Sequence, residues 1–534
     1  MSPDLSRRVF LRGAAASLIV ARAARAAGGA PTALEIVEGK VGPTRATLVN
    51  GMLPGPTLRW REGETVQIAV TNRLKEPTSI HWHGIRTPSE MDGVPGLSFA
   101  GIAPGETFTY RFPLRQSGTY WYHGHSGFQE QIGLAGAIVI EPANGYAHSF
   151  DREHVILLSD WTDEDPERML GNLKFQSDYY NHGQRTLGNF FADARRDGLG
   201  AALGDRLEWG RMRMSPTDIL DVSGAAYRYL INGRQDWSGL FAPGERVRLR
   251  IVNAAAMSIF DLRIPDLPMT VVQADGNEVE PVTVDQIRIA PAETYDVIVT
   301  PEAGRAYALF AELEDRSGFV AGTLAQHLGM SAPVPPLDPR PLRGMTDMGM
   351  GGMDAEMMAA MHHGPPAGGP AEGVEVDNVA MMPVSRQDQG DLDAPEGRRV
   401  LTYADLKALK PGTDPRPPSR EIVLHLTGNM QRFIWGFDGK KFSDSQPIHL
   451  TLGERVRFVL INDTMMEHPI HLHGLWSEIE VGQDEFRPYK HTVNVKPGER
   501  MSFLVSADTP GRWAFHCHIM MHMESGMFRE VHVA

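Results

Sequence analysis

One cysteine in 534 residues cannot form an internal disulfide, so the fold must hold without that staple. No run of 18 or more apolar residues is present, so no transmembrane helix is expected. Basic residues are in deficit, 52 against 66 acidic, for a net charge of −14. That balance leaves no electrostatic footprint for nucleic acid. Histidine and methionine, by contrast, are plentiful at 20 and 26. A hydrophobic content of 42% excludes wholesale disorder, and the length allows about three or four domains.

The N-terminus reads as an address. Ser6-Arg7-Arg8-Val9-Phe10-Leu11 is a twin-arginine pattern, followed by an apolar run from Gly13 to Ala21 and small-residue cleavage sites at Ala21-Arg22-Ala23 and Ala24-Arg25-Ala26. Residues 1–26 are therefore expected to be an export signal, with a periplasmic mature protein. Removing their five Arg and one Asp takes the net charge from −14 to −18.

The chain repeats itself three times. Gly63-Glu64-Thr65-Val66, Gly244-Glu245-Arg246-Val247 and Gly453-Glu454-Arg455-Val456 each lead, nine residues after the glycine, to an asparagine: Asn72, Asn253 and Asn462. The residues between are dominated by β-branched and other apolar types, as in a half-buried strand. A second anchor follows in each copy, Pro104-Gly105-Glu106, Pro291-Ala292-Glu293 and Pro497-Gly498-Glu499. A third is Gly118, Gly304 and Gly511, each opening a short aromatic-rich strand. The pattern predicts an all-β chain of three tandem Greek-key sandwiches at 31–147, 148–331 and 400–534. Residues 332–399, rich in Pro, Gly and Met, are expected to be a linker or insertion, and 189–209 a helical excursion within the second unit.

Four histidine motifs lie in register with the repeat. His81 and His83 fall 18 and 20 residues after Gly63, as His471 and His473 do after Gly453. His123 and His125 fall 5 and 7 residues after Gly118, as His516 and His518 do after Gly511. In a strand, positions i and i+2 share a face, so each pair can aim at one metal cluster between units one and three. The second unit has Leu262, Ile264, Leu309 and Ala311 at these offsets, and is expected to act as a spacer. Cys517, between His516 and His518, should point to the opposite face. With His468, His522 and Met527 nearby, it completes two imidazoles, a thiolate and a weak thioether, the ligand set of a blue-copper electron-transfer site. Zinc would favour a tetrahedral set without the thioether. The short covalent path from Cys517 to its flanking histidines gives an electron a direct route to the cluster.

These four motifs resemble those of the multicopper oxidases, with no ligand missing, over about residues 40–145 and 400–534. The resemblance implies cupredoxin-like domains and four copper ions. It assigns His468, Cys517, His522 and Met527 to the type 1 copper, and His81 and His471 to the type 2. His83, His123 and His518 go to one type 3 copper, and His125, His473 and His516 to the other. It also implies reduction of O2 to water at the expense of Cu(I) or a small phenol. Asp92, in Met91-Asp92-Gly93-Val94-Pro95, resembles a family acid beside the type 2 copper and reads equally as a turn aspartate before glycine. Many bacterial relatives carry an acid directly after the second type 1 histidine, where this chain has Met523, followed by Glu524.

From Met345 to Met361 there are seven methionines in 17 residues, followed by His362 and His363. Soft thioethers select Cu(I), so this tract is expected to collect it. The tract and the export signal together resemble the periplasmic copper-resistance oxidases of the CopA/PcoA type. A non-catalytic copper-sequestering protein is the alternative, though storage needs no type 1 geometry. A two-copper nitrite reductase is disfavoured by the two type 3 pairs. A monomer is expected.

Overall fold

The computed structural model describes residues 31–211, 214–344, 347, 369–371 and 373–534. The twin-arginine segment and, apart from Asp347, the methionine tract lie outside the described residues.

Among the described residues six sheets are formed, two from each repeat unit. In the first unit, strand Thr65–Asn72 runs parallel to Thr32–Val41 and antiparallel to Thr107–Pro113. Val247–Asn253 makes the same two pairings with Arg152–Trp161 and Thr294–Val299. Arg455–Asn462 makes them with Arg420–Asn429 and Arg500–Ser506. The Greek-key sandwich that the resemblance implies is thus present in each unit.

The repeated asparagine has a physical task. Asn72, Asn253 and Asn462 are fully buried at the strand end. The side-chain amide of Asn462 donates to the carbonyls of Met466 and Val495 at 2.7 and 3.0 Å, and its Oδ1 accepts from Thr464 N at 2.9 Å. Asn72 and Asn253 make the equivalent bonds to the loops after them. The Pro-Gly-Glu turn closes onto the same residue, with Gly105 N, Ala292 N and Gly498 N donating to the carbonyls of Asn72, Asn253 and Asn462. Each clamp satisfies buried polar groups that would otherwise be costly, and fixes the loop leading to the next strand. In units one and three that next strand carries the histidines.

Two expectations need revision. The helical excursion is longer than expected, with helices at Pro166–Phe175, Leu187–Asp197 and Leu199–Arg211. Asp165 caps the first of these by accepting from Arg168 N, a start signal that lay outside the predicted span. The 332–399 segment is also more than a connector. Arg343 donates to Asp393 at 2.6 Å and pairs with Glu314, while Arg288 of unit two reaches Asp391 at 2.6 Å and Glu467 of unit three at 2.7 Å. The buried charges here compensate one another, which their burial requires, and their pairing ties the segment to both neighbouring units. Among the described residues, no helix is long and apolar enough to cross a membrane.

Candidate metal centre

Antiparallel pairing delivers the histidines. Strand His81–His83 lies against Gly118–His123 with His81 opposite His123, and His468–Leu472 lies against Gly511–Cys517 with His471 opposite His516. At the corresponding crossing of unit two, Leu262 faces Ala311 and both are buried.

Three histidine groups converge, His81/His83/His471, His83/His123/His518 and His125/His473/His516, with the donor atoms of each group within 4.8 Å of one another. A separate group is His468, Cys517 and His522. In it Cys517 Sγ is 3.6 Å from His468 Nδ1 and 3.8 Å from His522 Nδ1. Met527 is fully buried, and its backbone spans the same group, donating to His522 O at 3.0 Å and accepting from Cys517 N at 3.1 Å. His516 and His518 belong to the histidine groups while Cys517 between them belongs to the other, so the strand's alternation separates the two.

Hydrogen-bond partners fix the tautomers. His81 Nδ1 donates to the Asp92 carbonyl at 2.8 Å and His471 Nδ1 to the His491 carbonyl at 2.5 Å, so each Nε2 carries a lone pair. Those two Nε2 atoms face each other at 3.4 Å. His516 Nδ1 donates to the Cys517 carbonyl at 2.9 Å and His473 Nδ1 to Asp92 Oδ2 at 2.9 Å, and their Nε2 atoms face each other at 3.0 Å. In the other group His468 Nε2 bonds Thr464 Oγ1 at 2.7 Å and His522 Nε2 bonds Asp221 Oδ2 at 2.8 Å. Both Nδ1 lone pairs then face the thiol, 3.2 Å apart. His83 Nδ1, His123 Nε2, His125 Nε2 and both ring nitrogens of His518 are buried without a hydrogen-bond partner. Facing lone pairs and unpartnered buried nitrogens are unfavourable unless a cation lies between them. The donor set therefore fits copper, with imidazoles in three groups and a thiol with two imidazoles in the fourth.

Burial, with the neighbouring imidazoles adding to it, lowers the pKa of His83, His125, His471, His473 and His518 well below the ordinary range. Burial does the same to His123 and His468, and pushes His516 down to about 3. The neutral form that a metal needs is therefore the resting form at pH 7. Burial raises the Cys517 pKa, so thiolate forms there only together with a cation.

Asp92 sits in the turn before Gly93, where a Cβ would come 1.9 Å from the Ile80 carbonyl. Its carboxylate nevertheless points into the cluster, 2.9 Å from His473 Nδ1 and 3.4 Å from His81 Nδ1. Five further residues lay beyond the sequence reading. Glu130 is 2.6 Å from His123 Nδ1 and lines a cavity of about 620 Å³ that His125, His516 and His518 also line. His491 Nδ1 is 3.1 Å from His83 Nε2, and Lys490, bound to Asp275 and Glu293 at 2.9 and 3.0 Å, anchors its strand to unit two. Asp221 comes from unit two and holds His522. Thr464 orients His468. Unit two is thus not a mere spacer: it lacks ligands but supports both groups.

Family models described as "Multicopper oxidase" match residues 34–145, 152–328 and 415–534. The chain is 51% identical to "Copper resistance protein A" of Escherichia coli, covering 92% of this chain and 89% of that protein. It is 49% identical to "Copper resistance protein A homolog" of Pseudomonas syringae pv. tomato, over 100% of both chains. Among solved structures it is similar to Fet3p, described as a multicopper oxidase that functions in iron import. The TM-score is 0.68 at 20% identity, covering 94% of this chain and 90% of that one, a likeness of fold.

Proposed function

The chain belongs to the multicopper oxidase family, and from that premise we propose that it oxidises Cu(I) with O2 in copper resistance, as a periplasmic enzyme. Copper resistance is the role named for relatives that align along nearly all of the chain. The twin-arginine pattern at Arg7-Arg8 supports periplasmic export.

Under this reading, His468, Cys517, His522 and Met527 hold the type 1 copper. His81 and His471 hold the type 2 copper, His83, His123 and His518 one type 3 copper, and His125, His473 and His516 the other. Four bound coppers supply storage for the four electrons that convert O2 and four protons to two waters, one from each of four Cu(I) ions. The residues of the chain do the rest. Cys517 is covalently joined to His516 and His518, so the two groups are connected through one dipeptide on either side. Asp92, with Oδ1 lacking a hydrogen-bond partner, faces the His81/His473 group and can hold a proton there. Thr464 and Asp221 keep the Nδ1 atoms of His468 and His522 unprotonated. The methionine tract at 345–361 would bring Cu(I) to the enzyme through its thioethers.

The observation that carries this reading is the facing of lone pairs in two separate groups joined by His516-Cys517-His518. A store of copper ions needs no such junction. Oxygen uptake by copper-loaded protein supplied with Cu(I), compared with Cys517→Ser at equal protein, tests it. Uptake by the first and none by the second is expected, and copper binding without uptake would favour sequestration.

A further inference from the structure

The helical excursion of unit two carries apolar side chains that the described residues leave uncovered. Helices Leu187–Asp197 and Leu199–Arg211 turn back on each other at Gly198, whose φ of 93° permits the reversal. Arg206 lies over the Phe190 ring at 5.8 Å and donates to the Thr186 carbonyl at 3.3 Å, and Arg185 pairs with Asp205. Ala202 and Trp209 are buried. With these four positions of the second helix turned inward, helical spacing puts Leu199, Leu203 and Leu207 on one outward stripe. They are 65, 49 and 53% exposed, and Leu187 and Phe191 of the first helix, again four residues apart, are 78 and 57% exposed.

A single exposed leucine needs no explanation, but five large apolar side chains on one hairpin do. At about 200 Å² for a whole side chain of this size, they present roughly 600 Å² of apolar surface, the upper end for a monomer. A standard interface buries about 800 Å² on each partner, so this stripe and the small residues within it are enough for a stable contact. Gly200 and Gly204 share the outward side of the second helix, and a Cβ on either would meet nothing within 4 Å. Glycine is a poor helix former, and no neighbour in the chain requires it at these two positions. A second helix packed on this face would, because the missing Cβ lets two backbones approach closely.

Charge points to the occupant. Residues 187–211 hold four arginines and four acids, a net charge of zero within a chain of −14. Two copies of an acidic chain repel each other, and a neutral apolar face is where that repulsion is least. We propose that the 187–211 hairpin is the contact of a two-fold dimer, each hairpin laid on its copy so that four helices form one layer. This replaces the monomer expected from the sequence. The contact uses no residue of the metal groups.

The test is sedimentation velocity of the copper-loaded protein over a concentration series, in wild type, in Leu203→Arg and in the double variant Gly200→Ala/Gly204→Ala. Wild type should reach twice the chain mass. Leu203→Arg, at a site exposed in the single chain, should weaken association by about thirtyfold or more, with copper content and Cu(I) oxidation unchanged. Alanine is the better helix former, so the double variant should keep or raise its thermal stability while association weakens by about tenfold. A purely local role for the glycines would move the first quantity and not the second. Wild type that stays monomeric throughout would overturn the proposal, and so would a dimer that both variants leave intact. Deleting residues 345–363 checks the other occupant the chain could supply. A dimer that persists supports the proposal, whereas a chain that dimerises only after the deletion would overturn it in favour of the methionine tract.

Discussion

Asp221 of the second unit accepts a hydrogen bond from His522 Nε2 of the third at 2.8 Å, across 301 residues of sequence. The bond is short, buried and formed by the one unit that contributes no histidine to either metal group. It fixes which nitrogen of His522 faces Cys517, and it sets a carboxylate against that imidazole.

Removing that carboxylate should therefore be felt in electron entry. Asp221→Ala is expected to lower kcat/KM for Cu(I) by about 10- to 100-fold, the usual cost of deleting a partner that orients a metal ligand. Asp221→Asn keeps an acceptor for His522 and should lose less. Steady-state kinetics together with the type 1 reduction potential check this. Equal losses in Asn and Ala would mean that the charge, not the orientation, is what matters.

Asp92 makes a bond of this kind to His473 through Oδ2 and holds His81 through its backbone carbonyl. Asp92→Ala should loosen copper by about 10- to 100-fold in a chelator competition, with the type 2 electron paramagnetic resonance signal lost first. Asp92→Asn should retain the metal and slow O2 reduction, because the amide cannot hold and release a proton. An Asn variant with wild-type turnover would remove the acid role and leave Asp92 as an orienting group.

Both acids show what one sequence can and cannot reveal. The convergence of the histidines was legible because strand periodicity and a three-fold repeat placed each histidine pair at a countable offset, from His81 after Gly63 to His518 after Gly511. The fold was legible for the same reason, through Asn72, Asn253 and Asn462, whose buried amides close the same loop three times. Asp221, Glu130 and His491 occupy no repeated position and reach the site through tertiary packing. Nothing in their local sequence marks them. The segment from 332 to 399 was read as a linker because its composition has no strand period. Of its buried arginines, Arg343 pairs with Asp393 and Arg386 donates to Gln389 and to the Asp347 carbonyl.

The copper-free protein should lose stability as pH falls. Burial lowers the folded-state pKa of His83, His123, His125, His468, His471, His473, His516 and His518, so between the folded and unfolded values the unfolded chain binds more protons. Their contribution is full above the unfolded value of about 6.5 and declines below it, by about 1.4 kcal/mol per pH unit for each histidine that stays neutral when folded. For His516 the decline runs down to about 3. Urea midpoints of chelator-stripped protein should hold from pH 8 to about 6.5 and then fall towards pH 5. Midpoints independent of pH would show that these imidazoles are not buried in the copper-free state.

Deleting residues 345–363 should raise KM for Cu(I) by about tenfold while changing kcat little, if the thioethers act by collecting the substrate. The copper content of the purified protein should change only in its loosely held part. Identical Cu(I) kinetics with and without the tract would assign it no part in delivery.

Whether the chain holds four coppers in a one-plus-three arrangement is tested most directly by counting tightly bound copper per chain, after mild chelation, in wild type and in Cys517→Ser. Ten histidines, Cys517 and Met527 predict close to four for wild type. They predict close to three, with the blue absorption gone, for the variant, because the sulfur belongs to one group only. Two or fewer in wild type, or an equal count in both proteins, would contradict the assignment.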